Sequence, residues 1–293
     1  MKLVLFKILR ISGIPFIIKE SIQKRNVTII TFHQPLVDTF EICTRYLKKY
    51  YNIIPLWQYI EYLQGIRSIP NKSIIITLDD GLKNNYKLLN IIKEYKIPIT
   101  IFLCSEIVGT TRHFWWTHEI VGYSLKELKR MPEIERRNLY KQNDFDYVTD
   151  YGEKSRQVLN MEEIYEMFLS GYVDFQSHTM SHVLLDKCDD SLALEEVQYS
   201  KINLEKKLNK PVYALAYPNG FYSDREIINV QKSGYLCALT MDPGFNTKKT
   251  NQFKLRRLGI SDKANIDEII VRTSGLWGFI KKIKKIIMPS SID

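Results

Sequence analysis

The sequence predicts an α/β fold, an irregular (β/α) barrel of seven to eight mostly parallel strands with an insertion after the fourth. Eight runs rich in apolar and β-branched residues alternate with segments of helical period, the pattern of parallel strands joined by crossover helices. The polar residues His33, Asp79, Asp80, His178, Pro218, Asn219 and Asp242 all fall at or just past the C-terminal ends of those runs. In a barrel these ends share one rim, where active sites form. A chain of 293 residues with 45% hydrophobic content can also bury a full core.

Val27 to His33 reads as the first strand. A helix around Asp38 to Lys49, a short apolar run at Ile53 to Leu56 and a second helix from Trp57 to Leu63 follow. The stretch Ile74-Ile75-Ile76-Thr77-Leu78-Asp79-Asp80-Gly81 is a buried strand running out into two carboxylates and a turn-forming glycine. Tyr86, Leu89, Ile92 and Tyr95 repeat at helical spacing, so one helix is expected from Lys83 to Tyr95. Pro98 to Cys104 is the next strand. Residues 106–170 then break the rhythm as a polar insertion containing His113, Trp115, Trp116 and His118. Strands at Tyr172–Ser177, Val212–Tyr217, Tyr235–Met241 and Lys254–Ile260 complete the series, with helices at Ser191–Leu208 and Asp224–Lys232 between them. Three regions are expected: an apolar, basic segment over 1–25, the barrel over 26–264, and a basic amphipathic helix and tail over 265–293.

Charge and cysteine content narrow the function classes. The formal charge of +9 comes from 42 basic and 33 acidic residues, modest for this length and met by a solvated, Lys-rich surface. No basic patch interleaved with aromatics marks a nucleic-acid surface, so no nucleic-acid partner is expected. The four cysteines are widely spaced without a CxxC pair, and Cys104 and Cys237 lie in apolar runs as packed thiols. No apolar run is long enough for a spanning helix. The first eighteen residues are broken by Lys7, Arg10, Gly13 and Pro15 and lack a small-residue cleavage site. A cytoplasmic or membrane-peripheral location is therefore favoured, with export left open.

Two motifs carry chemistry. Adjacent carboxylates at a strand end repel one another in one cleft unless a divalent cation offsets them, although Asp and Gly also suit a turn and a helix N-cap. Ser177-His178-Thr179-Met180-Ser181-His182 follows another strand. Histidines four apart fall on one side of a helical turn and can converge on one metal, a spacing that surface helices also produce. With one Asp they would make a three-ligand set, leaving a position open for water or substrate.

Thr77-Leu78-Asp79-Asp80-Gly81 resembles the first motif of the polysaccharide deacetylases, the NodB-homology family or carbohydrate esterase family 4. His178-Thr179-Met180-Ser181-His182 resembles the second motif of that family. Ala216-Tyr217-Pro218-Asn219-Gly220 is similar to the third, in the variant of its circularly permuted surface-polysaccharide and biofilm branch. The resemblance spans about residues 27–262. It implies a hydrolase that removes N-acetyl groups, with O-acetyl groups the lesser alternative, from a surface or cell-wall carbohydrate or its precursor. It further implies that Asp80, His178 and His182 bind a divalent metal, usually Zn2+, with Co2+, Ni2+ or Mn2+ as alternatives. Asp79 would be the general base, and the amide of Asn219 an oxyanion donor by its place in the third motif. Tyr217 and Pro218 of that motif, with Trp116 and Asp242, are the expected substrate-binding residues.

Two departures from the family pattern matter. Ala216 stands where the third motif usually carries an arginine that orients the base. Arg257 is the candidate substitute, or else a strand arginine with its head in solvent. No histidine follows His182 to serve as the general acid. In permuted relatives that strand lies at the N-terminus, which makes His33 the candidate acid, the alternative being a satisfied strand-end histidine. A protein lacking these functions would be a silent glycan-binding barrel. Trp115 and Trp116 either form a sugar-stacking platform or pin the insertion to the barrel. Leu276, Phe279, Ile280, Ile283, Ile286 and Ile287 repeat at helical spacing, with Lys281, Lys282, Lys284 and Lys285 on the other side. Such a helix suits an anionic membrane surface, or packs as ordinary amphipathic cover.

Overall fold

The computed structural model describes residues 2–287, and the last six residues of the expected tail, 288–293, lie outside them. Side chains of Lys282, Lys284, Lys285, Ile286 and Ile287 are likewise outside what is described. In chain order the elements are α1 (Lys2–Ile11), α2 (Ile14–Ser21), β1 (Thr28–Phe32), α3 (Val37–Tyr50), β2 (Asn52–Ile53), α4 (Leu56–Leu63), β3 (Ser73–Leu78), α5 (Leu89–Tyr95) and β4 (Ile99–Leu103). The insertion supplies α6 (Leu125–Arg130), α7 (Glu133–Lys141) and α8 (Met161–Leu169). Then come β5 (Val173–Ser177), α9 (Asp190–Leu208), β6 (Ala214–Ala216), α10 (Asp224–Lys232), β7 (Cys237–Leu239), β8 (Leu258–Gly259), α11 (Ile266–Thr273) and α12 (Leu276–Ile287). The chain divides into two compact units. One comprises Met1–Leu78, Lys87–Thr100 and Met241–Asp293, the other Asp79–Tyr86 and Ile101–Thr240.

In the first unit β1 lies parallel to β3, residue for residue, from Thr28 opposite Ile74 to Phe32 opposite Leu78. Every residue of both strands is buried. Continuous β-branched runs suit a parallel strand covered on both faces, where alternation would leave polar groups dry. β8 pairs with β1 and β2 with β3, again parallel. In the second unit β5, β6 and β7 pair in that order, all parallel. The alternation of strands and helices, and the parallel pairing it implied, are therefore present. Several strands are shorter than expected: the 212–217 run contributes three residues and the 254–260 run only two.

The expected helix from Lys83 to Tyr95 is wound differently along its length. Lys83–Leu88 is a 3-10 turn, and the α-helix begins only at Leu89. Its start is tied down from outside: Leu82 bridges Val158, and Lys83 N donates to Gln157 O at 2.8 Å. Side-chain periodicity carries no trace of such a tether.

Candidate metal centre

Three loops of the second unit, each following a strand, bring its polar residues together. Asp79 and Asp80 are buried, and Asp80 and Gly81 take left-handed backbone, with φ of 72° and 62°. A methyl on Gly81 would come within 2.5 Å of Leu103 Cδ2, so conformation and space both demand glycine. Thr179 (φ 68°), His182 (φ 57°) and Asn219 (φ 54°) are left-handed as well. Half of the eight non-glycine residues with positive φ among those described therefore lie in these three loops. Each such residue costs on the order of 1 kcal/mol or more and persists only where its surroundings over-determine it.

Those surroundings are specific. The 178–182 loop forms no helical turn, contrary to the expectation from its spacing, because Thr179 and His182 reverse the backbone. It is tied to the exit of β4, where His178 N donates to Leu103 O at 2.8 Å and Ser105 N to Thr179 O at 3.1 Å. Inside the loop His182 N donates to Thr179 Oγ1 at 3.1 Å. From α9 the buried Glu196 accepts from Met180 N (2.8 Å), Ser181 N (3.0 Å) and Ser181 Oγ (2.5 Å). From the insertion Trp115 Nε1 donates to His182 O at 3.1 Å. Glu196 lies outside the expected site residues, although a signal was there. It sits with Ala193, Val197, Ser200 and Leu204 on the buried face of α9, where helical period calls for an apolar side chain.

Glu196→Ala should leave two partly buried amide donors without their acceptor, at about 1 kcal/mol each, and loosen the loop. Support of this kind is typically worth about 10–100-fold in metal affinity. Isothermal titration with Zn2+ and thermal unfolding should show both losses together. Unchanged zinc affinity would mean that the loop holds its shape without Glu196.

Asp80 Oδ1 stands 3.4 Å from His178 Nε2 and 3.3 Å from His182 Nε2, and all three side chains are buried. That oxygen accepts no hydrogen bond among the described residues. Bond lengths of about 2.0–2.1 Å at a tetrahedral zinc separate its ligand atoms by about 3.3–3.5 Å, so the spacing fits one cation shared by all three. His178 Nδ1 lies 2.7 Å from Ala216 O. A proton on Nδ1 donated to that carbonyl leaves the Nε2 lone pair directed at Asp80, the outer-shell arrangement usual for metal-binding histidines. The residues therefore fit a divalent cation.

The electrostatics of the ion-free site agree. Burial disfavours the Asp80 charge, yet the two facing imidazoles outweigh burial and hold its carboxyl well below the ordinary range. Burial works against a proton on His178, but Asp80, Asp79 and the Ala216 carbonyl raise its pKa in spite of burial. Burial prevails at His182, whose pKa is lowered. A cation must therefore displace the proton that His178 retains to higher pH than a free imidazole would. Zinc affinity should weaken by up to about tenfold per pH unit below the raised His178 pKa, with proton release on binding. Titrations in buffers of different ionisation enthalpy measure this. A flat pH profile would contradict it.

The other expected residues divide between the units. Trp116 is half-buried with its ring 4.2 Å from that of His182, and stacks on Phe114 at 4.3 Å. Trp115 is the pin: it is fully buried, with the Arg136 guanidinium 4.2 Å over its ring. Pro218 and Asn219 form a tight turn after β6, in which Asn219 Oδ1 accepts from Lys129 Nζ at 3.3 Å. Lys129, on α6, was not anticipated from sequence. Burial lowers its pKa, with Arg136 acting in the same direction and Asp80 against it. Tyr217 is buried completely and stacks on Tyr222.

His33, Asp242 and Arg257 belong to the first unit. His33 is exposed at the end of β1, and its backbone N–H donates to Asp262. Arg257 does not reach solvent. It is buried, with Nη1 3.2 Å from Thr31 Oγ1 and 3.4 Å from Thr77 Oγ1, on neighbouring strands β1 and β3.

A carboxylate and two imidazoles converging in a buried loop cluster, beside a second carboxylate, define the class: an α/β protein with a candidate metal centre at the ends of its strands. Residues 67–238 match the model of the polysaccharide deacetylase family, and the chain belongs to that family. It is 24% identical over 220 residues to the poly-beta-1,6-N-acetyl-D-glucosamine N-deacetylase of Staphylococcus epidermidis, covering 72% of this chain and 62% of that protein. The chain spans between about half and just under two thirds of the length of the curated relatives it matches. Among solved structures it shares its fold with the Streptococcus pyogenes deacetylase PplD, at a TM-score of 0.64 and 17% identity over 85% of this chain and 98% of that one. IcaB from Ammonifex degensii matches with a TM-score of 0.61 and 18% identity, over 87% and 98% of the two chains.

Proposed function

We propose that this protein removes N-acetyl groups from a polymer of N-acetylglucosamine, using a divalent cation held by Asp80, His178 and His182. The observation that carries this reading is the spacing of those three ligand atoms around the unbonded Asp80 oxygen, with Asp79 buried next to them in the chain. The staphylococcal relative named for a poly-N-acetylglucosamine substrate supports the sugar. A bound Zn2+ would polarise the acetamide carbonyl and make water a nucleophile near neutral pH.

The chain's own residues do the rest. Asp79 takes the proton from the attacking water. The turn at Asn219 presents its backbone N–H to the oxygen that gains charge as the carbonyl carbon becomes tetrahedral. His33 gives a proton to the departing amine as the carbon–nitrogen bond breaks, leaving acetate and a free glucosamine. Arg257 would orient the base, in the role of the arginine that Ala216 replaces. Of the expected sugar contacts, Trp116 and Asp242 are the proposed ones, while Tyr217 and Pro218 are buried.

Acetate release from β-1,6-linked N-acetylglucosamine oligomers, with Zn2+ or Co2+ added, tests the reading. Release that exceeds release from β-1,4-linked oligomers and from O-acetylated glycans is expected. Glycan binding without acetate from any substrate would replace it with a silent glycan-binding protein, the outcome that Ala216 and the missing C-terminal histidine leave open. His33→Ala should lower kcat at unchanged zinc affinity, and full activity in that variant would remove His33 from the mechanism.

A further inference from the structure

The first unit carries a second cleft, of about 650 Å3, between α1 and α2, α3 and α11. Its wall is two-faced. Arg10, Lys19, Arg45 and Lys49 line it, together with Phe16, Tyr46 and isoleucines of α3 and α11, and no acidic residue is among the lining. Carboxylates stand behind three of the cations: Asp267 lies 3.0 Å from Arg10, Glu20 3.5 Å from Lys19 and Glu41 3.7 Å from Arg45. They orient the basic groups without entering the cleft. Lys19 is buried with its ammonium 4.4 Å over the Tyr50 ring, which fixes one cation in the floor.

The helices that border this cleft present apolar surface to solvent. Leu3, Val4, Ile8 and Ile11 of α1, and Phe16 and Ile17 of α2, are each between 59% and 67% exposed. Phe6 is different, being packed against Val271 and Leu276, so α1 is docked on the unit by one side and bare on the rest. Phe279 and Ile283 add exposed apolar residues on α12, beside exposed Lys281. Six large apolar side chains so exposed on two consecutive helices are the kind of surface that marks an interaction site. No helix among the described residues is long and apolar enough to cross a membrane. Short helices with an apolar outer side and basic residues alongside lie in the interface of a bilayer instead.

We propose that α1, α2 and the basic cleft form a seat for anionic phospholipid at a bilayer surface. The apolar side chains of α1 and α2 enter the acyl boundary, and Arg45 and Lys49 at the cleft mouth meet a headgroup phosphate. Charge complementarity selects this occupant over a second copy of the chain, because two such basic mouths would repel one another. The inference stands apart from the deacetylase reading, since neither the cleft nor the helices contain a residue placed in that mechanism.

Vesicle co-sedimentation of the full chain tests it without any glycan. Vesicles of phosphatidylcholine with phosphatidylglycerol should bind the protein more tightly than phosphatidylcholine alone, and salt should weaken that binding. Arg45→Ala with Lys49→Ala should weaken binding to the anionic vesicles by roughly thirtyfold, the effect of removing two cations near an anionic surface. Ile8→Glu with Phe16→Glu, at exposed positions, should abolish binding to both kinds of vesicle, and circular dichroism should show the fold retained. Acetate release from soluble oligomers should be the same in these variants as in the unaltered chain. Absence of vesicle binding would overturn the proposal, as would binding that both double variants leave intact. So would inorganic phosphate binding in the cleft without vesicle binding, or a dimer in sedimentation velocity that Ile8→Glu with Phe16→Glu dissolves while vesicles remain unbound.

Discussion

Asp79→Asn should lower kcat for acetate release by about 10²–10⁴, the range a positioned general base contributes, and leave KM and zinc affinity nearly unchanged. The substitution keeps the size and shape of a buried side chain while removing its capacity to accept a proton. It also leaves the ligand set untouched, because Asp80, His178 and His182 supply the three atoms that face one another. A fall in kcat with KM constant is the signature of an interaction made only in the transition state. Loss of zinc along with activity would instead make Asp79 a ligand. Retention of activity would remove the base from this mechanism.

Asp80→Asn should have the larger effect on the ion itself. Losing the one anionic ligand of three should cost more than the roughly 10–100-fold typical of outer-shell changes in zinc affinity. The consequence for stability follows by mass action. Zinc at a hundred times its Kd should stabilise the unaltered chain by about 2.7 kcal/mol. For a protein of this size that corresponds to a Tm rise of roughly 4–5 °C. Asp80→Asn should show no such rise at the same zinc concentration, and His178→Ala should behave alike. A Tm increase that survives in both variants would place the cation elsewhere.

The parts of this arrangement visible in the sequence are those written locally. Three isoleucines and a threonine make β3 a buried strand, and the carboxylates and Gly81 that follow must leave it. The His178–His182 spacing was likewise legible, although the loop brings the rings together by left-handed turns at Thr179 and His182 and not by a helix. Long-range supports were not legible. Trp115 reaches His182 across 67 residues of chain, and Lys129 reaches Asn219 across 90. No local periodicity encodes such a meeting. The burial of Arg257 shows the same limit from the other side. A strand arginine reads as a snorkelling cation, and only the hydroxyls of Thr31 and Thr77 reveal a dry, hydrogen-bonded one.

The proposed mechanism rests on a cation at Asp80, His178 and His182, and X-ray absorption at the zinc edge examines that site directly. One equivalent of zinc should show oxygen and nitrogen neighbours at about 2.0–2.1 Å, with the outer-shell scattering of two imidazoles. That imidazole signal should fall by half in His182→Ala. A sulfur shell, or a spectrum with no imidazole contribution, would contradict the assignment.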